Sequence, residues 1–103
     1  MKYKVLRSDI AENQLTEIPR YITNLTGDIQ SALEFLDAID KAKLQLEDFP
    51  ESGIIPRDLA IRRCGYRFLI VQNYYLFYKI NHNEKKVIIY TIIYCKTDYE
   101  RFL

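Results

Sequence analysis

Apolar and polar residues alternate with a period of two only at the start of the chain, where Tyr3 and Val5 are set against Lys2 and Lys4. That is the pattern of a strand with one wet face. The period then changes. Ala11, Leu15, Ile18, Ile22 and Leu25 recur at spacings of three and four, which predicts an amphipathic helix. Ser8 or Asp9 can cap it, and Glu12 is placed to return the bond in a capping box. Pro19 lies inside this stripe and predicts a kink or a helix in two pieces, because proline removes a helical hydrogen bond and crowds the preceding turn. Residues 24–27 supply a turn, and Asp28 caps a second helix with apolar positions at Ile29, Ala32, Leu33, Leu36, Ile39 and Leu46.

Pro50, Gly53 and Pro56 end the helical half of the chain. Residues 61–71, 74–80 and 87–95 are rich in β-branched and aromatic side chains and predict three strands, with turns at Asn73 and at Asn81-His82-Asn83-Glu84. The last of these is almost continuously apolar, as expected of a central strand buried on both faces. The predicted fold class is α+β: an N-terminal strand, a helical hairpin, then a three-stranded antiparallel meander. The helices pack on one face of the sheet, and part of the other face stays open. At 103 residues the chain is expected to be one domain, residues 1–103.

Composition narrows the function. The start of the chain carries charges through its first apolar stretch, and the longest apolar run is about half of what a membrane-spanning helix needs. A cytoplasmic protein with no membrane partner is expected. Cys64 and Cys95 form no paired motif, so both are read as reduced thiols in strands, with no metal and no cofactor. Charge is divided unevenly: residues 1–56 hold six Lys/Arg against ten Asp/Glu, and residues 57–103 hold nine against four. A basic second half that contains Tyr66, Tyr74, Tyr75, Tyr78, Tyr90, Tyr94 and Tyr99 suits nucleic acid or an acidic protein. It equally suits a solvated sheet face, since tyrosine favours strands.

Three motifs in order carry a resemblance. Cys64-Gly65-Tyr66-Arg67 opens a strand, Tyr74-Tyr75-Leu76-Phe77-Tyr78-Lys79-Ile80 follows, and Tyr94-Cys95-Lys96-Thr97-Asp98-Tyr99 comes near the end. With Leu46-Glu47-Asp48-Phe49-Pro50 closing the second helix, the whole chain resembles the RelE/ParE superfamily of toxins from type II toxin–antitoxin systems, known for plasmid stabilisation and growth inhibition. The resemblance implies a toxin neutralised by a cognate antitoxin. It also implies a target, either DNA gyrase in ParE-like members or the ribosome and its mRNA in RelE-like mRNA interferases. The groove left without antitoxin would favour a homodimer.

Cutting RNA through its own 2′-hydroxyl needs a base, a phosphate-stabilising cation and an acid, and no metal. Arg67 matches the strand arginine of the family motif and is the first candidate for phosphate contact. Lys96 and Tyr99 complete a catalytic set if the chain is a metal-independent endoribonuclease. Arg62, Arg63, Arg67, Lys96 and Arg101 are the candidate binding residues. Arg63 is expected to share the face of Arg67 if the strand alternates regularly. The alternative role for Arg67 is a structural ion pair. Asp58 and Ala60 occupy the positions where RNA-cutting members carry a lysine pair, and Thr97 falls near the position of a further arginine. These departures point to a ParE-like toxin that does not hydrolyse RNA. His82 reads as an exposed turn residue, and a non-toxic family member that only binds is a further alternative.

Overall fold

The computed structural model of the chain describes residues 2–96. The elements are β1 (Lys4–Arg7), α1 (Asp9–Thr26), α2 (Ile29–Asp48), a 3₁₀ turn at Pro50–Ser52, α3 (Leu59–Arg63), β2 (Arg67–Val71), β3 (Tyr74–Asn81) and β4 (Lys86–Tyr94). The sheet runs β1-β4-β3-β2, with β1 parallel to β4 and the other pairs antiparallel. The expected strand, helical hairpin and meander are therefore present, and the apolar β4 is an inner strand.

Local chemistry accounts for the helix boundaries. Ser8 caps α1 by accepting the Ala11 N–H at 3.0 Å, which puts Ala11 at the capping-box position, so the box does not close and the Glu12 carboxylate pairs with Arg7 at 2.9 Å. Pro19 does not divide α1, which runs unbroken from Asp9 to Thr26. Gly27, at φ 68°, ends the helix in the left-handed region and donates to the Thr23 carbonyl. Asp28 caps α2 through the Gln30 N–H. The buried stripe of α2 is Ala32, Phe35, Ile39, Ala42 and Leu46, while Ile29 and Leu33 are exposed. The predicted stripe was thus rotated, and it left out Phe35, which is fully buried.

Ala11 of α1 and Phe35, Ile39, Ala42 and Leu46 of α2 meet Leu69, Val71, Leu76, Tyr78, Val87, Ile89 and Ile92 from the sheet in one core. Burying aliphatic side chains of this size contributes about 1.5–3 kcal/mol each before ordering costs. Beyond the end of β1, α1 lies along β4. The Ser8 hydroxyl donates to the Tyr90 carbonyl at 2.6 Å, and the Gln14 carbonyl oxygen accepts the Ile92 N–H at 2.7 Å. Two side chains thereby stand in for the missing neighbour strand.

The largest departure from expectation lies in residues 61–71. Asp58 accepts the Ile61 N–H at 3.0 Å and starts α3, and Gly65, at φ 88°, closes it with an N–H bond to the Arg62 carbonyl. Only Arg67–Val71 remain as strand. Neither cysteine lies in a strand: Cys64 caps α3, and Cys95 follows β4 in a turn, with its thiol pKa raised by burial.

Candidate functional site

Alternation along β2 and β3 sorts the candidate residues onto two faces. Tyr78, Leu76, Leu69 and Val71 all point into the helical core, and Arg67 pairs directly with Tyr78, two residues before Leu69. Arg67 therefore lies on the covered face. Its Nη1 donates to the Glu51 and Gly53 carbonyls, both at 3.2 Å. Beside it the Tyr78 hydroxyl donates to the Pro50 carbonyl at 2.7 Å and accepts the Gly53 N–H at 2.9 Å. Together the two side chains fasten the 3₁₀ turn to the sheet. Gly53 is needed there, because a Cβ at that position would overlap the Tyr78 hydroxyl. Burial raises the Tyr78 phenol pKa, and Glu51 adds to the rise; the Gly53 bond and Arg67 oppose it. Among the described residues Arg67 is bonded to backbone carbonyls and not to a carboxylate.

The other described candidates, Arg62, Arg63 and Lys96, do not converge on it. Arg62 is in α3, where its Nε donates to the Pro56 carbonyl at 3.0 Å and its Nη2 to that of Arg57 at 3.4 Å. Arg63 is exposed on the same helix, so strand alternation does not relate it to Arg67. Lys96 is exposed at the far end of the sheet: Arg67 pairs with Tyr78, whereas Tyr94 pairs with Tyr74, about 13 Å along β3. Tyr99 and Arg101 lie outside the described residues. His82 is exposed in its turn, and it bridges the Tyr3 hydroxyl at 2.9 Å and Glu51 at 3.2 Å.

What the fold does assemble is a row of rings on the opposite face of the sheet. Tyr90 meets Tyr66 (centroids 5.8 Å apart), Tyr66 meets Phe77 (6.2 Å), and Phe77 meets Phe68 (5.3 Å), which meets Tyr75 (5.1 Å). The Lys79 ammonium lies in this row, 4.5 Å from the Tyr66 ring centre and 5.3 Å from that of Tyr90. Such cation–π contacts hold a charge in place without neutralising it. Tyr66 has its pKa raised, chiefly by burial and then by Tyr90 and Cys64. Sequence reasoning passed over Lys79, although the run Tyr75, Phe77, Lys79 at alternate positions was the signal.

Two depressions flank the helices. A cavity of 730 Å³ between the helical hairpin and the β2–β3 turn is lined by Tyr21, Ile22, Leu25, Tyr74 and Tyr94 among others. A shallower groove of 380 Å³ runs between α2 and β2 beside Ala38, Lys41, Ala42 and Ile70. The outer edge of β2 is bridged at Phe68 by Ile54, through bonds of 2.7 and 3.0 Å. Ile70, two residues on and exposed, presents its backbone to the same side.

Residues 5–99 match the profile of the ParE toxin of type II toxin–antitoxin systems, parDE. The chain belongs to the ParE toxin family. Comparison of the sequence with curated proteins gives no match. The fold is similar to a chain of the chromosomal ParDE toxin–antitoxin system from P. aeruginosa, at a TM-score of 0.73 and 16% identity over 91% of this chain and 97% of that one. It is also similar to a chain of the RelBE2 toxin–antitoxin complex from Mycobacterium tuberculosis, at a TM-score of 0.59 and 20% identity over 91% and 99%. Among the described residues no group of three or more His, Cys, Asp or Glu is placed to hold a metal, and no helix is long and apolar enough to cross a membrane. The tyrosines with displaced pKa values, Tyr66, Tyr74 and Tyr78, all shift upward, away from service as a base at neutral pH.

Proposed function

We propose that this ParE-family chain is a growth-inhibiting toxin that acts on DNA gyrase without hydrolysing RNA, and that a cognate antitoxin neutralises it. The observation that carries this reading is the position of Arg67. The arginine that a ribonuclease would turn toward phosphate is held by the Glu51 and Gly53 carbonyls on the helix-covered face. Lys96 is too far along the sheet to complete a site with it. Phosphoryl chemistry needs its donors and its acid and base around a single atom, and the separation of Arg67 from Lys96 supports the non-hydrolytic reading.

The antitoxin reading is supported by the β2 edge and the two grooves. A strand added beside Ile70 continues the sheet, and a helix suits the apolar cavity around Tyr21, Leu25 and Tyr94. Without an antitoxin, the same apolar surface favours a homodimer.

Purified protein added to a plasmid supercoiling assay should trap cleaved complexes of gyrase. Unchanged plasmid topology, together with primer-extension cuts on translated mRNA, would replace this reading with the mRNA-interferase one. Co-expression with the neighbouring small reading frame should restore growth; growth arrest despite a stable complex would remove the antitoxin role.

A further inference from the structure

Lys79 differs from Arg67 in what surrounds it. An ammonium has three donors, and among the described residues those of Lys79 find no carboxylate and no hydrogen-bond acceptor, only the two ring faces of Tyr66 and Tyr90. The hydroxyls of Tyr66 and Tyr90 likewise have no hydrogen-bond partner among the described residues, and both side chains are half-buried. The site therefore presents one fixed positive charge and two phenol donors, with no acceptor to answer them among the described residues. Phe68, partly exposed, adds a ring to this face on the far side of the buried Phe77. An oxyanion attached to flat apolar groups fits this chemistry, and a nucleic-acid strand repeats both at every residue.

We infer that the Tyr66–Lys79–Tyr90 cluster is a phosphate contact on a stacking platform for single-stranded DNA. A duplex hides the faces of its bases in its own stack, whereas an open strand offers them to tyrosine and phenylalanine rings. The choice of DNA over RNA rests on the proposed action at gyrase, whose cleaved complexes contain DNA. Charge agrees with this: residues 57–103, which hold the cluster, carry nine Lys/Arg against four Asp/Glu. The toxin would then hold the target complex partly through its nucleic acid.

Fluorescence anisotropy of a labelled oligo-dT with the purified chain tests this without gyrase. Lys79→Gln should weaken binding about tenfold at low salt and reduce the slope of log K against log salt by about 0.7, the share of one phosphate on a single strand. Lys79→Arg should retain most of the binding, and Tyr90→Leu should lose several-fold by removing a stacking surface. Circular dichroism melts should confirm that the variants are folded. Equal affinity of the parent chain and Lys79→Gln, tighter binding of oligo-U, or binding of an acidic peptide in place of DNA would each overturn the inference. Trapped gyrase complexes that persist in Lys79→Gln would overturn it while leaving the proposed function standing; oligo-dT binding without trapped complexes would do the opposite.

Discussion

Arg67 and Lys79 are both basic residues on neighbouring strands, and the fold treats them in opposite ways. Arg67 points under the helices, where it holds the carbonyls of a connecting turn. Lys79 points away from them and is steadied by rings while its donors stay unanswered among the described residues. The same contrast divides the two sheet faces, since the covered one is largely aliphatic and its most buried phenol, Tyr78, is satisfied within the chain. The lesson is that a cation on a strand has to be assigned to a face before it is assigned a role. A group whose bonds are complete inside the fold stabilises, and a group held in place but incomplete is available to a partner.

Substitutions can break this contrast. The largest effect on stability is expected from Gly53→Ala, which forces a methyl onto the Tyr78 hydroxyl and disrupts the pinned turn; urea unfolding should show a loss of about 3 kcal/mol. Tyr78→Phe leaves the Gly53 N–H and the Pro50 carbonyl without their partner and should lose about 2 kcal/mol in the same measurement. Arg67→Ala should lower stability by about 1.5 kcal/mol, and anisotropy on oligo-dT should read the same as for the parent chain at a temperature where both are folded. If Arg67→Ala abolished binding at full stability, the assignment of the two faces would be reversed. Lys79→Gln should change stability by less than about 1 kcal/mol, since it removes only cation–π contacts.

The smallest effect near neutrality concerns pH. Tyr66, Tyr74 and Tyr78 each have a folded pKa above the ordinary 10.0, with burial the first cause. Above about pH 10 the unfolded chain gives up these protons while the folded chain retains them. Their contribution is complete below that point and is lost as pH rises through the folded values. Unfolding midpoints should therefore fall only on the alkaline side, with tyrosinate absorbance lagging that of the denatured chain; a midpoint that fell between pH 7 and 9 would require other groups.

The element order was readable because its signals are local. Ser8 and Asp28 caps, prolines after residue 48 and the apolar run of β4 need no tertiary knowledge. The face of α2 was not readable, because two overlapping apolar stripes are available and the sheet selects the one with Phe35 and two alanines. In residues 61–71 the branched side chains outweighed the Asp58 cap and the terminating Gly65, which together make α3. The role of Arg67 depended on carbonyls 14 and 16 residues earlier in the chain, a distance no local pattern encodes. Lys79 was within reach, since β3 was placed correctly and its alternation puts Lys79 with Phe77 and Tyr75.

The side chains of Ser8 and Gln14 along β4 also bear on how copies of this protein can associate. They seal the part of that strand which β1 does not reach, and β1 itself is four residues long with Lys4 and Arg7 at its ends, so fibril-like stacking finds little foothold on that flank. Self-recognition through the sheet is left with the β2 flank. A contact that uses the same flank on both molecules closes on itself, and assembly would stop at two.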